Sequence, residues 1–211
     1  MEKLDYKKQF KELYQPKTVP SVIDVPEMKF IAVNGRGNPN ETDGEYQSAV
    51  EILYALSYAI KMAPKSNIVI EGYFEYVVPP LEGLWWLADS KDFDYSSKSK
   101  FCWTSQIRQP EFVTDEVFAL AKESVAKKKP HLDTSRARLV TMDEGLCVQC
   151  MHLGSFDDEP ATLAKIKAYM LEMRLACDLS DTRRHHEIYF SDPRKKDVSK
   201  MKTILRYPVK R

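Results

Sequence analysis

Glu187 stands in the middle of RHHEIYF, residues 184–190, whose residue types alternate as those of a strand do. Side chains two apart share a face, so His185, Glu187 and Tyr189 point one way and His186, Ile188 and Phe190 the other. A carboxylate in mid-strand is unusual, because Glu has poor strand propensity and is costly to bury unpaired. On a solvated face it has no chemical task. In a pocket it could pair with a cationic ligand while flanking aromatics stack on that ligand. It could equally act as a base that deprotonates a bound water, and partial burial would raise its pKa toward that task. The structural alternative is an ion pair with Arg206 or Arg108 across a sheet.

A second strand-like stretch, residues 69–78 (VIEGYFEYVV), places Tyr73 and Glu75 on one face in the same rhythm. Tyr73 and Tyr189 could donate to a ligand carbonyl or phenolate, or simply pack as wall. Trp85, Trp86 and Trp103 could sandwich a flat ligand, or plug their segment onto the domain. Of His185 and His186 only one can face a given pocket. Cys147 and Cys150 form a CxxC, but no second ligand pair stands at matching spacing. Structural cysteines, and no metal, are the expectation. Asn34-Gly35-Arg36-Gly37 lacks the spacing and the Lys of a phosphate loop, and no cofactor is expected.

These residues need elements to hold them. The chain has 211 residues with 32 basic against 31 acidic, a balance unlike that of a dedicated nucleic-acid binder. It shows no signal peptide and no apolar run of membrane-spanning length, so a soluble cytoplasmic protein is expected. Residues 1–14 read as a short amphipathic helix, too short for a DNA-binding domain. Strands are expected at 21–25, 28–36, 69–78 and 101–108, with a helix at 45–62 and a long connection at 79–100. Thr114 caps a helix at 115–128, with Asp115 and Glu116 at its positive end. A hairpin at 137–153 turns at Glu144-Gly145, and a third long helix covers 161–176. Residues 184–209 read as strand, Asp-Pro turn, strand.

The second half repeats the first. Adding 117 to Tyr46, Ala49, Leu53, Leu56 and Ile60 gives Leu163, Ile166, Met170, Met173 and Cys177, all apolar. Adding 112 to Glu75 gives Glu187, and adding 98 to Ile107-Arg108-Gln109-Pro110 gives Leu205-Arg206-Tyr207-Pro208. Each half is strand, helix, strand, strand: module one at about 20–110, a connecting helix at 114–129, and module two at about 137–209. The fold expected is α+β, a single domain with a pseudo-twofold axis, an antiparallel sheet, helices on one face and a concave pocket on the other. Phe74, Tyr76, Val78, Ile188 and Phe190 are expected under the helices. Tyr73, Glu75, His185, Glu187 and Tyr189 are expected on the open face, with Glu75 and Glu187 together near the axis.

Three motifs make the chain resemble the GyrI-like small-molecule-binding domains. They are Pro80-Leu81-Glu82-Gly83-Leu84-Trp85-Trp86, His186-Glu187-Ile188-Tyr189-Phe190-Ser191-Asp192-Pro193-Arg194, and Leu205-Arg206-Tyr207-Pro208-Val209. The resemblance spans roughly residues 20–209. It implies kinship with effector-binding domains of multidrug transcription activators, in which a buried Glu in the strand corresponding to that of Glu187 meets aromatic or cationic drugs. It also implies kinship with a bacterial DNA gyrase inhibitor, and with stand-alone members that hydrolyse cyclopropane-bearing alkylating antibiotics. Three functions follow as expectations: a binding module for flat hydrophobic or cationic compounds, a detoxifying hydrolase of strained electrophilic rings with Glu187 as base and Tyr73 or Tyr189 as donor, or a non-catalytic gyrase-interacting protein. Glu75, Trp85, Trp86, Trp103, His185 and Tyr189 are the expected ligand contacts, and direct nucleic-acid binding is not expected. Oligomeric state stays open.

Overall fold

The computed structural model describes residues 3–88, 98–190 and 200–211. Two short helical turns, α1 (Tyr6–Gln9) and α2 (Lys11–Tyr14), lead into β1 (Ser21–Val25) and β2 (Met28–Arg36). Then follow α3 (Glu45–Met62), β3 (Leu81–Leu87), β4 (Phe101–Arg108), α4 (Asp115–Lys128), β5 (Ala137–Met142), β6 (Gly145–Leu153), α5 (Glu159–Glu172), β7 (Ala176–Cys177), β8 (His185–Tyr189) and β9 (Lys202–Lys210). Eight strands form one antiparallel sheet in the order β1-β6-β9-β8-β3-β4-β2-β5, and β7 adds to β9. The class is α+β, and the order reads as two matched halves about a central β3–β8 pair. The outermost strands are exchanged: β1 precedes β2 in sequence but pairs with β6, while β5 precedes β6 but pairs with β2.

The helices follow from local chemistry. α3 buries Ala49, Ile52, Leu53, Leu56 and Ile60 along one stripe, spaced three and four apart, and ends before Pro64. The Thr114 hydroxyl accepts from the Val117 N–H at the start of α4, with Asp115 and Glu116 in its first turn. α5 buries Leu163, Ile166 and Met170 but stops at Glu172, because Arg174 turns left-handed at φ 54°. Met173 and Cys177, expected on the buried stripe, are therefore exposed.

The register fixes which face carries what. A row of cross-strand partners runs Val33, Ser105, Gly83, Glu187, Leu205, Cys150. At one end Val33 lies in the core with α3, and at the other Leu205 and Cys150 lie in the core with α5. Both long helices thus cover the face that carries Glu187, one at each end of the row. The alternate residues, among them Phe30, Ile188, Ile204 and Cys147, pack with Tyr6, Leu13 and Tyr14 of the leader.

Two expectations are corrected here. Residues 69–78 are not a strand: Gly72 is left-handed at φ 71°, Val69 is 94% exposed, and one bridge, Leu4 with Tyr76, touches the segment. The inner position beside β8 belongs to β3, which lies inside the expected connection 79–100. The faces are also exchanged. Glu187 and Tyr189 lie on the side of α3 and α5, while Ile188 lies under the leader. Period two says that neighbours differ in face, and says nothing of which face the helices take.

Candidate functional site

β8 presents His185, Glu187 and Tyr189 on the face of the sheet that α3 and α5 cover, as β3 does Gly83 and Trp85. The Glu187 carboxylate is 5% exposed and both its oxygens are engaged. Oε1 lies 3.0 Å from His185 Nε2, and Oε2 accepts from the Tyr189 hydroxyl at 2.8 Å. The Tyr189 oxygen in turn accepts from Trp85 Nε1 at 2.8 Å. Gly83, opposite Glu187, is what lets these groups meet: a Cβ there would fall 2.6 Å from Trp85 Nε1 and 2.8 Å from the Tyr189 hydroxyl.

Aromatic side chains wall this chain of hydrogen bonds. Tyr46, from the first turn of α3, lies against Trp85 with ring centres 5.5 Å apart and the planes tilted by 30°. Phe156 meets the Tyr189 ring edge to face at 5.8 Å, and His185 lies against Tyr207 at 4.9 Å. Burial and then the Glu187 charge push the Tyr189 hydroxyl well above its ordinary pKa, so it stays a proton donor. Burial likewise pushes Tyr46 up to about 12. Glu159, fully buried in the first turn of α5, adds to the field at Tyr189. The arrangement can hold a polar group against a carboxylate and a neutral phenol, between aromatic faces.

Of the expected site residues, the structure brings together Glu187, His185, Tyr189 and Trp85. Trp103 is fully buried core, with Tyr46 edge-on at 5.0 Å. Trp86 points to the opposite face, where the Arg184 guanidinium lies 4.7 Å over its ring. Tyr73 is not at Glu187: its hydroxyl donates to the Lys61 carbonyl at 2.7 Å near the end of α3. Nor is Glu75, whose side chain is 57% exposed and pairs with Lys3. The matched offset that placed Glu75 beside Glu187 rested on a strand that does not form. Ser191-Asp192-Pro193-Arg194 lies outside the described residues. No cluster among the described residues could hold a metal ion. No helix among them is long and apolar enough to cross a membrane. An open groove of about 360 Å³ lies elsewhere, between α3 and α4, and contains none of the expected site residues.

Sequence reasoning missed a second polar cluster, on the leader side of the sheet. His186 Nε2 lies 2.9 Å from Glu82, and its Nδ1 lies 3.0 Å from Glu144. Arg206 Nη1 donates to Glu144 at 2.9 Å. Burial disfavours both charges, but each is overcome: Glu144 and Glu82 hold His186 up at about 9, and His186 and Arg206 hold Glu144 down at about 2. The cluster clamps the leader, since Arg206 Nη2 donates to the Leu13 carbonyl and Gln149 Nε2 to that of Glu12. The alternative of an ion pair between Glu187 and Arg206 is thereby excluded: they face opposite ways, and Arg206 pairs with Glu144.

Comparison with known proteins agrees with this architecture. The chain is 50% identical to an uncharacterized conserved protein from Listeria innocua, covering 99% of this chain and 100% of that one, with a TM-score of 0.93. It is 48% identical to a hydrolase from Listeria innocua over the same shares, with a TM-score of 0.89. The EcmrR C-terminal domain, at 10% identity, shares the fold with a TM-score of 0.56 over 91% of this chain and 97% of that one. No curated protein matches. The model of the GyrI-like small molecule binding domain matches residues 18–210. With two halves of strand, helix and paired strands meeting at a buried glutamate, and with that match over nearly its whole length, the chain belongs to the GyrI-like small molecule binding domain family.

Proposed function

We propose that this protein binds flat, hydrophobic or cationic small molecules against Glu187, on the face of the sheet that α3 and α5 cover, and that it hydrolyses strained electrophiles held there. The carrying observation is the Glu187 carboxylate, buried on that face and already oriented by His185 and Tyr189. A carboxylate held in this way needs no reorganisation to accept a proton from water. The water oxygen would bond to a ring carbon of a cyclopropane conjugated to a carbonyl. The ring C–C bond would break toward that carbonyl, whose oxygen takes a proton from Tyr189 as that hydroxyl turns from the Glu187 carboxylate to the ligand. Glu187 keeps the proton from water and can return it through its bond to Tyr189. Trp85, Tyr46, Phe156 and His185 supply the aromatic faces for a flat ligand. The near-half identity to a Listeria innocua hydrolase supports the catalytic reading. The engagement of both Glu187 oxygens also favours a second reading, a fixed counter-charge for a cation without chemistry.

Glu187→Gln separates the two. The protein is incubated with a cyclopropane-bearing alkylator, and the ring-opened product is followed by mass spectrometry. A hydrolase loses about a hundredfold or more in turnover, the scale of a general base, while a neutral flat ligand still binds. A pure cation binder shows no turnover in the wild type, and the variant loses affinity for cationic ligands only. A variant equal to wild type in both assays makes Glu187 structural and overturns the proposal.

A further inference from the structure

Among the described residues, the leader side of the sheet buries Arg108, His186 and Arg206 together with the carboxylates of Glu82 and Glu144. His186 and Arg206 share the carboxylates between them. No carboxylate hydrogen-bonds Arg108 among the described residues. Its guanidinium rests on two neighbouring rings of the leader, with Cζ 4.7 Å from the centre of Tyr6 and 4.6 Å from that of Phe10. Its Nε and Nη1 have no hydrogen-bond partner among the described residues, although the residue is 6% exposed.

Gln106 lies two positions earlier on β4, on the same face, 1% exposed, and its amide Nε2 is also without a partner among the described residues. The Tyr76 hydroxyl, in the same core cluster as Tyr6, is another. Buried donors left open in a native fold mark a bound water or ion. Water would satisfy the N–H groups but not the charge. Arg108 has no hydrogen-bonded carboxylate among the described residues to offset its buried charge, and an uncompensated buried charge is costly.

We propose that a small monoanion of halide or carboxylate size binds beneath the leader, against Arg108 Nε and Nη1, with Gln106 Nε2 as a further donor. Side chains two apart on a strand stand roughly 7 Å apart at their bases, a spacing that Arg and Gln can close onto one small ion. Tyr6 and Phe10 roof the site, so an occupant would be held in apolar surroundings that strengthen its attraction to the guanidinium. This site is on the opposite face from Glu187 and does not depend on the proposed hydrolysis.

The test uses the wild-type chain crystallised in sodium bromide, with diffraction recorded at the bromine edge. An anomalous peak within hydrogen-bonding distance of Arg108 is expected. In parallel, melting is followed in chloride, acetate and gluconate at one ionic strength. Chloride, or chloride and acetate, should raise the melting temperature saturably over gluconate, and the acetate arm shows whether a carboxylate is admitted. Arg108→Gln should abolish the rise, and Gln106→Leu should weaken the apparent affinity by about tenfold. Waters on Nε and Nη1 with no bromide peak would overturn the proposal, as would an equal rise in all three anions. Should Arg108→Gln fail to fold, the bromide structure and Gln106→Leu decide.

Discussion

Gly83→Ala probes the candidate site by steric means alone, changing no charge and no hydrogen-bonding group. Gly83 sits in β3 without a positive φ, so an alanine backbone is unstrained there. Its Cβ, however, would lie 2.6 Å from Trp85 Nε1 and 2.8 Å from the Tyr189 hydroxyl. Contact at roughly 3.5 Å requires each group to retreat by roughly 0.7–0.9 Å. Those two atoms form the 2.8 Å bond that orients the donor to Glu187, and both rings are pinned by Tyr46, Phe101 and Phe156. Overpacking of this kind costs about 1–3 kcal/mol, or roughly 3–10 °C in melting temperature for a chain of this size. Misplacing a donor by about 1 Å costs about a hundredfold in rate. The expected variant is therefore folded, modestly less stable, and nearly inactive toward an alkylator by mass spectrometry. A Gly83→Ala protein that melts lower but turns over substrate as wild type does would refute the claim that the Trp85–Tyr189–Glu187 chain performs the chemistry.

The leader-side cluster should make stability depend on pH in both directions. The part due to His186 is complete below its ordinary value of 6.5 and is lost as pH rises toward about 9, a fall of about 3 kcal/mol in urea unfolding; a flat profile from pH 6 to 9 would show that His186 is not held charged. The part due to Glu144 is present above 4.5 and is lost as pH falls toward about 2. Gly35→Ala would put a Cβ 2.2 Å from Cη2 of Trp103, its cross-strand partner, which is fully buried and cannot retreat; a loss near 3 kcal/mol is expected, and unchanged denaturant stability would mean that the Trp103 ring is not locked.

What the sequence made legible was local. α3 is readable because its apolar stripe and terminal charges agree, α4 because its Thr114 cap and terminal charges agree, and β4 because alternation and length agree. Glu187 stands out because a carboxylate in mid-strand is unusual, and the alternation that puts His185 and Tyr189 on its face agrees with the structure, which adds Trp85 through Tyr189. What failed needed knowledge of neighbours. LEGLWWL at β3 carries a Gly and a Glu that weaken it as a strand, yet it forms the centre because β4 and β8 pair with both its edges. VIEGYFEYVV has better propensity and no sheet edge to join. The leader reads as a short amphipathic helix with no stated partner, yet it packs over the face of the sheet that carries Phe30, Cys147, Ile188 and Ile204, and so that face is not the open one. Glu82, Glu144 and Arg206 stood inside recognised motifs or turns; buried charges of both signs at strand positions were the available signal.

The exchange of outer strands has a consequence for how the chain comes to be made. During synthesis β2 emerges early, but its outer partner β5 follows about a hundred residues later, and β1 waits still longer for β6. The central pair also joins residues far apart, Gly83 to Glu187. Such closures cost loop entropy before any contact repays it, so the sheet should assemble slowly and late. Until then each half exposes unpaired edges, the kind of surface on which chains associate wrongly. The same exchange means that a break between β4 and β5 would yield two fragments, each carrying the strand that the other lacks. Neither could finish its own sheet, and each is built as the other's missing edge.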